Sequence, residues 1–357
     1  MSKTLSAIYP WARSPLIISA PMRIMSGPAL AISVSRAGGL GFLGPGAKTT
    51  DTLTDLKEAS SLLQKEPFFQ PCSSIKSNPP APLPIGTGFQ LWNDDLEIAC
   101  SAVEKYKPCA AWLFAPRNGQ TDLNTWSRRL RTLSPDTQIW VQIGTVSEVR
   151  SLISSDAERP DVIVVQGSEA GGHGRANDGA GLISLLPEVA DLLDSSGVND
   201  IPLVAAGGIT GGRGALAALC LGASGVAMGT RFLASTEARI AKGYQDEIIR
   251  ASEGGSSTTR TLLYNHLRGT YGWPGGYSPR TIINRSFIEH EQGKRFEELK
   301  VLHDEAAKGG DAGWGPEGRL ATYAGMSVGL IKDVKGAGEI VSDVLSYIKP
   351  RAGGLLE

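Results

Sequence analysis

The sequence predicts an α/β protein built as a (β/α)8 TIM barrel with a helical cap segment. Eight short apolar runs recur along the chain, most of them closed by Gly or Pro and followed by a segment of helical periodicity. The runs are continuously apolar rather than alternating, which is the pattern of parallel strands buried on both faces. Eight such repeats match a closed barrel; a doubly wound open sheet is the competing arrangement, because periodicity does not report closure.

The expected strands are Leu16 to Ala20, Gly41 to Leu43, Leu83 to Phe89, Ala110 to Phe114, Gln138 to Ile143, Asp161 to Val165, Ile201 to Ala205 and Gly225 to Met228. Between them the periodicity predicts helices over Pro28 to Arg36, Thr50 to Gln64, Asp94 to Lys105, Leu123 to Thr132, Val146 to Ser154, Gly181 to Leu193 and Gly214 to Leu221. Pro28 suits the first turn of its helix, where a missing N–H costs nothing. Residues 235–313 exceed what a closing helix requires. They are expected to form the cap: a helix over Thr236 to Ala251, a Gly/Pro/Trp/Tyr-rich stretch from Tyr271 to Tyr277, and a helix over Phe287 to Ala307. Residues 1–234 and 314–357 then make the barrel, with Arg319 to Val334 and Ala337 to Ile348 as terminal helices.

Composition bounds the function. With 41% hydrophobic and 20% charged residues, the 357-residue chain has material for a large core, against global disorder. Thirty-five basic and 36 acidic residues give a net charge of -1, so no polycationic surface points to nucleic acid or an anionic membrane. Cys72, Cys100, Cys109 and Cys220 form no CxxC pair, and no histidine has zinc-finger spacing, which argues against a disulfide framework or structural zinc. No apolar run nears the ~20 residues of a membrane helix, and no secretory h-region or peroxisomal tripeptide is present. The expectation is a soluble, cytoplasmic protein. A homo-oligomer is compatible with this sequence and not specified by it.

Glycine supplies the sharpest signal: 44 of 357 residues, about 12% against ~7% on average, clustered beside the apolar runs. In a barrel the ligand end is the C-terminal end of the strands. There the chain carries Ala20-Pro21-Met22, Gln142-Ile-Gly144, Gln166-Gly-Ser-Glu-Ala-Gly171-Gly172-His173-Gly, Ala205-Ala206-Gly207-Gly208 and Met228-Gly229-Thr230-Arg231. Small residues after the last two strands let backbone N–H groups approach phosphate oxygens, and a helix starting near Gly212 adds a favourable dipole. Thr230 and Arg231 would add a hydroxyl and a charge. The plainer reading is that these glycines only permit tight turns. Gly39-Leu-Gly41-Phe-Leu-Gly44 spells a dinucleotide fingerprint, but its glycines precede and occupy a strand instead of following one, so it is set aside. A P-loop motif is absent.

His173, flanked by glycines after a buried strand, is the candidate catalytic residue. An imidazole titrates near ~6.5 and suits proton transfer at neutral pH. The alternative is a loop imidazole bound to a backbone carbonyl or a phosphate. Glu169 would orient it or stand as a solvated charge. His266, His290 and His303 read as structural or surface residues, and Trp273 and Tyr277 as a substrate lid or as cap-to-barrel packing.

Taken together, Ala20-Pro21-Met22, the Glu-Ala-Gly-Gly-His173 element, Ala205-Ala206-Gly207-Gly208-Ile and Gly225-Val-x-Met-Gly-Thr-Arg-Phe resemble the nitronate monooxygenase family, also called 2-nitropropane dioxygenase, from about Pro15 to Val334. The resemblance implies an FMN flavoenzyme that oxidises an alkyl nitronate or nitroalkane with O2 to a carbonyl compound and nitrite. It implies the FMN phosphate at Ala206, Gly207, Gly208, Gly229 and Thr230. The isoalloxazine would lie near Ala20, Pro21, Met22, Gln142 and Gln166, with Gly171 and Gly172 along the cofactor and His173 in the active site. Gly325-Met326 stands where many relatives carry Gly-Gln. The alternatives are an NAD(P)H-dependent reductase of the enoyl-acyl-carrier-protein type on a similar barrel, and a non-redox phosphate-binding barrel.

Overall fold

Eight parallel strands close on themselves in the computed structural model, which describes residues 5–66, 82–154 and 157–354. Cys72 lies outside the described residues. The barrel strands are β1 (Leu16–Ser19), β2 (Leu40–Leu43), β3 (Leu83–Gln90), β4 (Pro108–Phe114), β5 (Gln138–Ile143), β6 (Val162–Gln166), β8 (Leu203–Ala206) and β9 (Gly225–Met228). They run in the order β1-β2-β3-β4-β5-β6-β8-β9, and β9 closes on β1 with Leu16 opposite Gly225 and Ser19 opposite Met228. Closure excludes the open-sheet alternative.

Aromatic rings fill the barrel interior. Phe42, Trp112 and Trp140 meet with ring centroids 5.1 to 5.8 Å apart. On the side away from the strand ends, Trp140 Nε1 donates to Tyr9 Oη at 2.9 Å. On the other side Trp112 Nε1 donates to Gln142 Oε1 at 2.9 Å. Both of these barrel indoles thus have their one donor satisfied. A second core layer lies between the strands and the outer helices, with Leu30, Val34, Leu130, Val149, Leu186 and Val341 fully buried.

A second sheet was not apparent from the periodicity. β7 (Gly172–Arg175), β10 (Thr258–Arg260) and β11 (Tyr277–Ile282) form an antiparallel sheet in the order β10-β11-β7. The cap is therefore not purely helical. His173 sits on β7 opposite Pro279 of β11, not in a free loop.

Three expected helices also differ. Helix Lys242–Arg250 forms, but residues 236–241 do not join it. Thr236 N donates to Lys335 O, Arg239 N donates to Met25 O, and the Arg239 guanidinium pairs with Asp55, so tertiary contacts override helix propensity. The helix expected over Phe287 to Ala307 is two, Arg285–Glu291 and Phe296–Lys308, parted at Gly293, which has φ +89°. Arg319 to Val334 holds only a 3-10 turn, Val328–Leu330. Its backbone donors go elsewhere: Met326 N to Glu169 O and Gly325 N to Thr230 Oγ1. The last helix is Ala337–Gly354.

Helix Pro28–Arg36 packs on β2 through Gly41, where a Cβ would lie 2.0 Å from Ala31 O. Backbone stands on both sides, so neither can yield cheaply. Gly41→Ala is expected to destabilise the fold by at least about 1–3 kcal/mol, read as a lower urea midpoint at unchanged m-value. An unchanged midpoint would show that this contact is loose.

Candidate active site

Thirteen site residues expected from the sequence line one cleft over the C-terminal ends of the barrel strands. Ala20, Pro21 and Met22 follow β1; Gln142 lies on β5; Gln166, Gly171, Gly172 and His173 come from β6 to β7; Ala206, Gly207 and Gly208 end β8; Gly229 and Thr230 follow β9. The cleft holds about 1370 Å³ of atom-free space, counting its open mouth.

The β8 and β9 ends form a cradle. Gly207 and Gly208 have φ of +99° and +71°, the left-handed region that glycine adopts without penalty. The N–H groups of Gly207, Gly208 and Gly229 find no protein acceptor among the described residues. Gly229 caps the short helix Thr230–Leu233. Unpartnered N–H groups converging beside a helix start fit an anion such as a phosphate. Arg231 does not contribute the expected charge, because it is buried and paired with Asp333. Ser327 Oγ donates to Gly208 O and holds that turn from the C-terminal segment.

His173 is held on two sides. Its ring stacks flat on Trp273, with centroids 3.6 Å apart and planes 4° apart. Its Nε2 lies 2.9 Å from Asn265 Nδ2. Burial, with the guanidiniums of Arg260, Arg268 and Arg23, pushes its pKa down to about 3 in spite of the Asn265 bond. Glu169 does not touch it. Its carboxylate accepts from Leu182 N at the start of helix Leu182–Ser195, an end with orphan donors. Trp273 lines the cleft, whereas Tyr277 lies outside its lining and donates to Glu148.

Arg260 sets the loop's path. It donates to the carbonyls of Ser168, Ala170, Gly172 and Ser278 at 2.6 to 3.2 Å. Arg280 adds two longer bonds to Ser168 O.

Sequence reading missed Arg23, Asn265, Arg268 and Tyr323, all of which line the cleft. Arg268 donates to Tyr323 Oη at 2.7 Å, and Arg23 to the carbonyls of Gly46 and Ala47. Neither forms an ion pair among the described residues, although Asp94 and Asp51 act on Arg23 from farther off. The Gly39–Gly44 run was a discernible decoy; these four had no motif to mark them. Among the described residues, no group of three or more His, Cys, Asp or Glu could hold a metal ion, and no helix is long and apolar enough to cross a membrane.

The lowered pKa of His173 links to stability. Between pH 6.5 and about 3 the unfolded chain takes up a proton that the folded imidazole refuses. Stability is fully present above 6.5 and falls as pH drops through this window. His173→Asn lacks the effect, so the wild-type advantage over this variant should shrink from pH 7 to pH 4 in urea unfolding. A constant difference would contradict the low value.

Comparison with known proteins adds to this geometry. The chain matches the profile of the family described as nitronate monooxygenase over residues 6–72 and 126–341. It is 59% identical to nitronate monooxygenase npaC of Metarhizium robertsii over 96% of this chain and 93% of that protein. It is 34% identical to a nitronate monooxygenase of Neurospora crassa over 97% of this chain and 92% of that one. Among solved structures, FabK from Thermotoga maritima superposes with a TM-score of 0.69 at 26% identity, covering 99% of each chain. The chain belongs to the nitronate monooxygenase family.

Proposed function

We propose that the cleft holds FMN and that the protein oxidises alkyl nitronates with O2, yielding a carbonyl compound and nitrite. The observation that carries this reading is the convergence, in one cleft, of an unpartnered N–H cradle and a neutral imidazole. The cradle at Ala206, Gly207, Gly208, Gly229 and Thr230 would take the phosphate. Ala20, Pro21, Met22, Gln142 and Gln166 would face the ring system, with Gly171 and Gly172 beside it. The donor set fits: hydrogen-bond donors at the phosphate end, and small or apolar groups with two amides at the ring end.

Bound FMN would supply the electron relay between nitronate and O2. The residues do the rest. Arg23 and Arg268 give the cleft a positive potential that favours an anionic substrate. Trp273 covers His173 and limits water around it. Trp112 and Phe114 add apolar surface to the lining. Residues 235–313, with β7, form the substrate side of the cleft.

A second reading has specific support, since FabK resembles this chain over nearly its full length. It predicts reduction by NAD(P)H. The two are separated by anaerobic titration of the yellow holoprotein. The proposal expects FMN released by acid, one per chain, and bleaching by propane-2-nitronate but not by NADPH. Bleaching by NADPH alone would transfer the assignment to the reductase reading. A folded, colourless protein that takes up no FMN would remove both.

A further inference from the structure

Ile24 stands in the turn between β1 and helix Pro28–Arg36, with φ +58°. Four described residues other than glycine adopt this left-handed region: Ile24, Lys107, Ala115 and Glu253. Lys107 does so as the C-cap of helix Leu96–Tyr106, where the conformation is common. Of the four, Ile24 is the β-branched one, and a branched Cβ at positive φ is a genuine outlier. Such strain persists only where the surroundings impose it, and it collects at functional sites. Here main-chain bonds impose it. Ile24 N donates to Pro45 O at 2.8 Å, Met25 N and Ser26 N donate to Met22 O, and Arg239 N donates to Met25 O. Ser26 Oγ accepts from Met22 N and donates to Ala20 O. None of these bonds uses the isoleucine side chain.

The side chain does little for the core either. Met22 and Met25 pack against buried clusters, whereas Ile24 is 44% exposed. It nevertheless lines the cleft, as does Arg23 before it. Glycine would give the turn the same bonds without strain. An apolar group that bears strain, stands half outside the core and borders a binding cleft has one gain open to it: cover by an apolar part of a ligand.

We propose that Ile24 is a specificity-determining residue: its side chain takes the alkyl portion of the substrate, so the cleft favours nitronates with longer hydrocarbon chains over short ones. Each methylene covered there adds a preference of roughly fourfold. The contact is the same in the bound substrate and in the transition state, so it appears in KM more than in kcat. This inference rests on reading the cleft as a nitronate site, and its test separates the two.

The test uses the full-length holoprotein and its Ile24→Ala and Ile24→Gly variants, at matched flavin content. The first arm is urea unfolding. At ordinary positions alanine is the more stable of the pair; at φ +58° the order reverses. Ile24→Gly should therefore unfold at the higher urea midpoint, at equal m-value. The second arm is the ratio of kcat/KM for pentyl nitronate to that for ethyl nitronate. Both variants should lower this ratio at least about fivefold, mostly through KM of the longer substrate. A purely structural role predicts instead that the ratio follows stability, with Ile24→Gly close to wild type and Ile24→Ala below it, and that pattern overturns the proposal. A midpoint of Ile24→Ala above that of Ile24→Gly removes the strain on which the assignment rests. Absence of nitronate oxidation by wild type defeats the functional reading and this assignment together. Nitronate oxidation with an unchanged chain-length ratio in both variants defeats this assignment alone.

Discussion

One half-buried guanidinium ties the antiparallel sheet to the loop that leaves β6. Arg260, on β10 of the antiparallel sheet, donates through its two terminal nitrogens to the carbonyls of Ser168 and Ala170 in the loop after β6, Gly172 at the start of β7 and Ser278 of β11. It has no carboxylate partner among the described residues. A half-buried cation with no ion-pair partner needs several well-placed dipoles; four carbonyls supply them, and Glu169 adds an opposite charge farther off. Burial and the neighbouring Arg280 lower its pKa to about 10, so it stays charged at neutral pH. By gathering carbonyl oxygens on the cap side, Arg260 fixes the path from β6 to β7. That path places Gly171 and Gly172 along the cleft and starts the strand on which His173 stands. The same charge helps to keep His173 neutral. Loop geometry and imidazole ionisation thus share one cause.

The barrel was legible because burial on both faces leaves a plain mark. Val162–Gln166 and Leu203–Ala206 are short apolar runs that no exposed element could carry. The cleft lining was legible for a related reason: the strand ends are where a barrel opens, and the small residues there, such as Gly207 and Gly208, mark the turns that line it. The antiparallel sheet left no such mark. β7 reads Gly-His-Gly-Arg, with no apolar alternation, and β11 carries Pro279, which cannot donate to a ladder and argues against a central strand. The pairing of Asn265 with His173 spans 92 residues and rests on that sheet. No local pattern announces it. Helix periodicity over 236–251 and 319–334 misled for the converse reason, since tertiary contacts took backbone donors that a helix would have used.

The cleft is polarised. At one end, unpartnered backbone N–H groups and a helix start await an anion. The rest of the lining includes Arg23, Arg268 and His173, with Trp112 bonded to Gln142. The barrel supplies the first end, and barrel and cap both contribute to the rest. This division explains why one part of the lining follows the strand-end motifs while the rest is scattered from Arg23 to Tyr323.

The account stands or falls on the cradle after β8 and β9 being a phosphate site. The most direct measurement compares the affinity of the apoprotein for FMN and for riboflavin, which share the ring system and differ by the phosphate. Two or three charge-assisted hydrogen bonds at about 1.5–3 kcal/mol each predict FMN binding tighter by at least about a hundredfold, with riboflavin unable to match it at any ionic strength. Equal affinity for the two would contradict the assignment of the cradle, and with it the placement of the cofactor in the cleft.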